Sequence, residues 1–164
     1  MESSIPASKF TIVPSQFFNP EKCAETLSEV AVPDSDEKVG YCRIPQYDAV
    51  LIYAAQSNVS GKDDALPEMF YILRDLQKCK EYNKIVCSWV DGNLFLAIAQ
   101  GKSLQLANVF SASDFVTVEY YIFLALKSIP LNPEVSTICF RTPIDRDEEI
   151  SLYRYFKSVE YLCE

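Results

Sequence analysis

Lys84–Phe110 reads KIVCSWVDGNLFLAIAQGKSLQLANVF, and this stretch decides the fold. Three apolar, β-rich runs are predicted as strands: Lys84–Val90, Asn93–Ala99 and Ser103–Phe110. Asp91-Gly92 joins the first two, and Gln100-Gly101 marks the turn between the second and third. Asp-Gly between apolar runs is a strong hairpin signal, because both turn residues must adopt positive φ. The connections are too short for parallel crossovers, so the three strands form an antiparallel meander.

Downstream, Ser111-x-x-Asp114 has the form of a capping box with Asp in the place of Glu. The predicted helix behind it runs through Phe115, Val118, Tyr121, Ile122, Phe123, Leu124 and Leu126. It is apolar on almost every side, which implies burial against the sheet. Pro130 and Pro133 end it, Val135–Arg141 reads as a fourth strand, and Asp145–Glu149 opens a last helix through Ile150, Leu152, Tyr153, Phe156 and Val159. Three antiparallel strands, helix, strand, helix is the order of a ribonuclease-H-like half-domain.

Upstream, Lys9–Val13 reads as a short strand closed by Pro14. Asn19 is placed to cap a helix with Pro20 at its first position. That helix carries Cys23, Leu27 and Val30 on one face and ends before Pro33. Val39–Ile44 and Asp48–Ala54 are strand candidates, and Ser57–Asp64 is a polar connection in which Asp63 or Asp64 can cap the next helix. Leu66, Met69, Phe70, Leu73 and Leu76 recur at helical spacing through to Asn83. The reading divides the chain into residues 1–83 and 84–164.

Composition narrows the chemistry. The 164 residues carry a formal charge of −8, so the counterion release that drives non-specific nucleic-acid binding has little to work with. There is no histidine, which removes Ser-His and Cys-His nucleophile activation and His-ligated metal. Only four glycines are present, few for loops that admit phosphate. Cys23, Cys42, Cys79, Cys87, Cys139 and Cys163 form no C-x-x-C pair, so zinc and thioredoxin-like readings fail on spacing and reduced structural thiols are expected. No apolar run nears the roughly 18 residues of a membrane span. With no signal pattern at Met1, the expected compartment is the cytoplasm.

Several short motifs yield to plain structural readings. Gly101-Lys102-Ser103 matches the tail of a P-loop, but Leu96 stands where the leading glycine belongs and the context is a hairpin. Asp145, Asp147, Glu148 and Glu149 lack calcium-loop spacing, and the helix dipole accounts for acids at a helix start. Asn58-Val59-Ser60 has the letters of a glycosylation sequon, without meaning in a cytoplasmic chain.

The chain resembles a Bacteroidetes family known as domain of unknown function 3822. The likeness is carried by Val90-Asp91-Gly92, Gly101-Lys102-Ser103-Leu104, Leu106–Phe110, and Asp114-Phe115 with Glu119-Tyr120-Tyr121-Ile122. Upstream, Ile12–Phe18 and Ala49–Ala54 are similar to further family segments. The resemblance implies an α/β, ribonuclease-H-like fold of the actin-like ATPase superfamily, in duplicate. It also implies members longer at the N-terminus, so the chain is expected to be a truncated or divergent member with one complete half at 84–164 and a partial one at 1–83. In actin-like ATPases an Asp-x-Gly turn between the first two strands faces nucleotide phosphate and metal. Here Asp91-Gly92-Asn93 places the glycine one position early, and Ser111-Ala112-Ser113 stands where a Gly-Gly is expected.

No catalytic residue and no metal ligand is carried over. The reading leans away from an enzyme, towards a protein with a degenerate ATPase-like fold that acts through contacts with a protein partner or with itself, needing no cofactor. The alternative is a nucleotide-binding domain or weak ATPase that uses Asp91, Gly92 and Asn93 with ATP and magnesium.

Overall fold

A computed structural model describes residues 4–56 and 65–162. The sequon at Asn58, the caps expected at Asp63 or Asp64, and Cys163 lie outside the described residues. The chain divides into two compact units, Met1–Tyr71 and Ile72–Glu164.

In the first unit, β1 (Ser4–Ile5), β2 (Phe10–Pro14), α1 (Cys23–Ser28), β3 (Glu37–Ile44), β4 (Ala49–Gln56) and β5 (Leu66–Pro67) follow in order. Helix α2 (Glu68–Asp75) then carries the chain into the second unit. β4 is the most apolar strand and takes the centre, with β2 and β3 antiparallel on its two sides. Its Val50, Ile52 and Ala54 meet Cys23 and Leu27 of α1 in a small core. β1 and β5 form a separate short parallel pair.

Local chemistry sets the entry to α1. The Asn19 side chain accepts the Glu21 N–H at 3.0 Å, and Pro20 opens a 3-10 turn that runs into the helix. Val30 departs from the expected face: the helix stops at Ser28, the period no longer applies, and Val30 is exposed.

The second unit contains β6 (Asn83–Val90), β7 (Asn93–Gln100), β8 (Ser103–Ser111), α3 (Phe115–Ser128), β9 (Thr137–Phe140), α4 (Arg146–Tyr153) and β10 (Ser158–Tyr161). Its sheet has the order β10-β9-β6-β7-β8. The expected meander is present, with β6–β7 and β7–β8 antiparallel, while β9 and β10 run parallel to β6. Ile85, Leu96, Ile98, Ile138 and Phe140 from one face of this sheet join α3 and α4 in the main core. A 3-10 turn at Leu76–Lys78 packs over β6 and β7.

Three elements differ from the sequence reading. Helix α2 ends at Asp75 and its 3-10 extension at Lys78, short of Asn83. The last helix ends at Tyr153, and Val159 belongs instead to β10, where it pairs with Ile138 and is buried in the core. Leu152, Phe156 and Val159 have helical spacing, yet an open edge on β9 claims the final segment as a strand. The cap of α3 is Asp114 itself: its carboxylate accepts the N–H and the hydroxyl of Thr117, both at 2.8 Å, while Ser111 remains in β8. No helix among the described residues is long and apolar enough to cross a membrane.

Candidate functional site

The Asp91-Gly92 turn is a tight two-residue hairpin, closed by the Val90–Asn93 pair. Asp91 has φ 52° and Gly92 φ 74°, the pair of left-handed conformations that a type I′ turn demands. Asp91 and Gly92 are exposed and Asn93 is half-buried. The Asn93 amide reaches the Asp91 carbonyl oxygen at 3.5 Å. A side-chain carbon added at Gly92 would meet nothing within 4 Å, so the glycine answers to backbone conformation and not to close approach.

Trp89 anchors the strand leading into this turn. Its indole N–H donates to the Ala112 carbonyl at 2.9 Å, its backbone N–H donates to the Thr142 hydroxyl at 2.9 Å, and its ring lies against Phe115. Gly101 also has positive φ, in the second hairpin turn. The acids at Asp145–Glu149 form the start of α4. Asp145 accepts the Glu148 N–H at 2.8 Å, and Glu148 accepts the Asp145 N–H at 2.9 Å, a complete capping box. Among the described residues, no group of three or more cysteines and carboxylates is disposed to hold a metal ion.

A second cluster lies on the face of β9 turned away from α3 and α4, and the sequence reading did not find it. Alternate residues from Thr137 to Arg141 are tied to the segment Asp75–Glu81. The Glu81 carboxylate accepts the Thr137 hydroxyl at 2.9 Å and its N–H at 3.3 Å. The Cys79 and Cys139 sulfurs are 3.9 Å apart. Arg141 bonds the carboxylate of Asp75, which is fully buried and also meets Arg74 at 3.1 Å and Lys78 at 3.2 Å. The ties run in opposite directions along the two segments, 137 to 81, 139 to 79 and 141 to 75.

A cavity of about 280 Å³ opens over this cluster, with Lys80, Asn83, Glu160 and Leu162 completing its lining around Cys79 and Cys139. The contact with the Cys139 sulfur holds Cys79 below the usual thiol range; burial opposes the shift and Lys84 assists it. Cys139 is raised, first by the same contact and then by burial. Elsewhere burial pushes Cys42 up to about 12 and Cys87 well above its ordinary value. A contact across 60 positions leaves no spacing signal; only the alternation Thr137-x-Cys139-x-Arg141 was visible, as part of a strand.

Helix α3 presents a third feature. Val118, Ile122, Ala125 and Leu126 face the core, whereas Val116, Tyr120 and Leu124 are exposed by 80%, 60% and 48%. The expected burial against the sheet is present on that one side, and the apolar residues of the other side are left exposed.

Comparison with known proteins bears on fold and family. A search of curated proteins returns no match. A crystal structure from Bacteroides thetaiotaomicron VPI-5482, described as a protein with actin-like ATPase fold and unknown function, superposes with a TM-score of 0.78 at 16% identity. The match covers 95% of this chain and 65% of that one, so the chain spans less than two thirds of its neighbour. The second unit's meander, crossover helix and parallel strands are thus part of an actin-like ATPase fold. The family model described as "Protein of unknown function (DUF3822)" matches residues 4–62 and 64–159, and the chain belongs to that family.

Proposed function

We propose that this protein works without catalysis, as a binding member of its family that associates through the outer face of α3, and that its first partner is a second copy of the chain. The observation that carries the reading is the exposed ridge Val116, Tyr120, Leu124 on a helix whose opposite side is already buried. Residues four apart form a continuous ridge, the unit by which helices pack. The ridge is centred on Tyr120. An antiparallel pairing sets Tyr120 against its own counterpart and Val116 against Leu124, the self-complementarity that a two-fold interface requires. Its ends are complementary too, with Lys127 in the last turn brought towards the second copy's Asp114.

The Asp91 turn supports the same reading. Its carboxylate stands on an exposed hairpin whose glycine serves the turn conformation, and Leu94, Phe95 and Leu96 follow at once as buried strand. Sedimentation of the full chain at micromolar concentration tests the association. The wild type is expected to form dimers that Tyr120→Glu dissociates; a monomer at every concentration overturns it. Calorimetric titration with Mg-ATP tests the non-catalytic part, and binding that vanishes in Asp91→Ala would refute it.

A further inference from the structure

The cluster behind β9 has the parts of a redox-active dithiol, independent of the α3 ridge. Two sulfurs 3.9 Å apart need only a short movement to bond, and strand β9 and the turn after α2 bring them together from positions 60 residues apart. Their accessibilities differ in a useful way: Cys79 is half-buried at the cavity wall, whereas Cys139 is only 4% exposed. Both cysteines line the cavity, and an oxidant entering it finds Cys79 the more accessible of the two. Reactive thiols are those that combine thiolate character, access and a neighbouring resolving thiol.

The surroundings favour a thiolate at Cys79. The contact with Cys139 favours it and Lys84 attracts it, while burial, Asp75 and Glu160 oppose. Asp75 is itself matched by Arg74, Lys78 and Arg141, which blunts its opposition. The other described thiols lack these features. Cys23, Cys42 and Cys87 are each raised by burial, and Cys87 is fully buried, with its S–H directed at the Cys139 carbonyl at 3.7 Å.

We propose that Cys79 and Cys139 form a peroxide-reactive dithiol, in which Cys79 is the attacking sulfur and Cys139 resolves it to an intramolecular disulfide. In the first step the Cys79 thiolate attacks one oxygen of a hydroperoxide. An S–O bond forms, the O–O bond breaks, and the departing oxygen takes a proton and leaves as water or an alcohol. Cys79 is now a sulfenic acid, oxidised by two electrons, and the peroxide has been reduced by two. In the second step the Cys139 sulfur attacks Cys79. The S–S bond forms, hydroxide departs from Cys79, and the Cys139 proton joins it as water. The ties from Glu81 to Thr137 and from Asp75 to Arg141 hold the two segments in place on either side of the new bond.

The test uses the full chain, freed of reductant and treated with a small excess of hydrogen peroxide at neutral pH. The expected product has lost two hydrogens by intact mass, and non-reducing peptide mapping joins the Cys79 peptide to the Cys139 peptide. Iodoacetamide alkylates Cys79 roughly tenfold faster than Cys42 in the untreated protein. In Cys139→Ser the reaction stops at a Cys79 sulfenic acid that dimedone traps, and in Cys79→Ser Cys139 does not react. First oxidation at any other cysteine, a disulfide to any other cysteine, or a Cys79 that alkylates no faster than Cys42 would each overturn the proposal. The mapping and alkylation on the wild type stand whether or not the serine variants fold.

Discussion

Asp75 shows how much one side chain holds together. Its carboxylate is fully buried, yet three cations meet it, and one of them, Arg141, lies just beyond β9 at the far end of the 75–81 segment. A buried charge is tolerated when its partners are close, and removing one partner strands the others. Asp75→Ala is expected to destabilise the protein by about 3 kcal/mol, near the low end for a broken buried pair because Lys78 keeps access to water. Urea unfolding followed by circular dichroism measures it, and a shift below about 1 kcal/mol, the size of a surface pair, would deny Asp75 this role. Glycine 40 illustrates a constraint of the opposite kind. A side-chain carbon there would sit 3.3 Å from the end of the Tyr53 side chain on the neighbouring strand, which would have to give by a few tenths of an ångström, whereas Gly92 is glycine for φ.

At the level of helices and strands, legibility followed the range of the interactions. The Asp91-Gly92 hairpin, the Asn19 cap and the acidic start of α4 were all readable, because each is settled by residues within four positions of one another. The start of α3 was misplaced by one motif. Asp114, and not Ser111, caps it, since Ser111 is still paired with Asn93 in the sheet. This has a direct consequence: Asp114→Ala should lower the denaturation midpoint, while Ser111→Ala should leave it nearly unchanged. Equal effects would return the cap to Ser111. The strand β10 was not readable, because its four residues carry no period of their own and acquire their extended form from β9.

Across the molecule, charge adds a pH dependence that the first unit should display. Glu37 accepts the Asp34 N–H and the Lys9 ammonium, both at 2.7 Å, and these bonds hold its carboxyl below the ordinary 4.5. A depressed carboxylate contributes stability above its unfolded value and loses it as pH falls through the folded one. Thermal melts at pH 7 and pH 3 should therefore show a larger drop in Tm for the wild type than for Glu37→Gln; an equal drop would show the pair to be inert. The candidate sites divide along the same line as the elements. The amino-acid order alone settled the meander, its turns, the absence of imidazole chemistry and the α/β class, since periodicity and turn chemistry act between near neighbours. It took the folded sheet to set Cys79 against Cys139, to bury Asp75 among its cations, and to leave one apolar side of α3 uncovered. Those outcomes depend on which segments the strand order β10-β9-β6-β7-β8 lays side by side, and contacts between distant positions carry no signature in the spacing of residues.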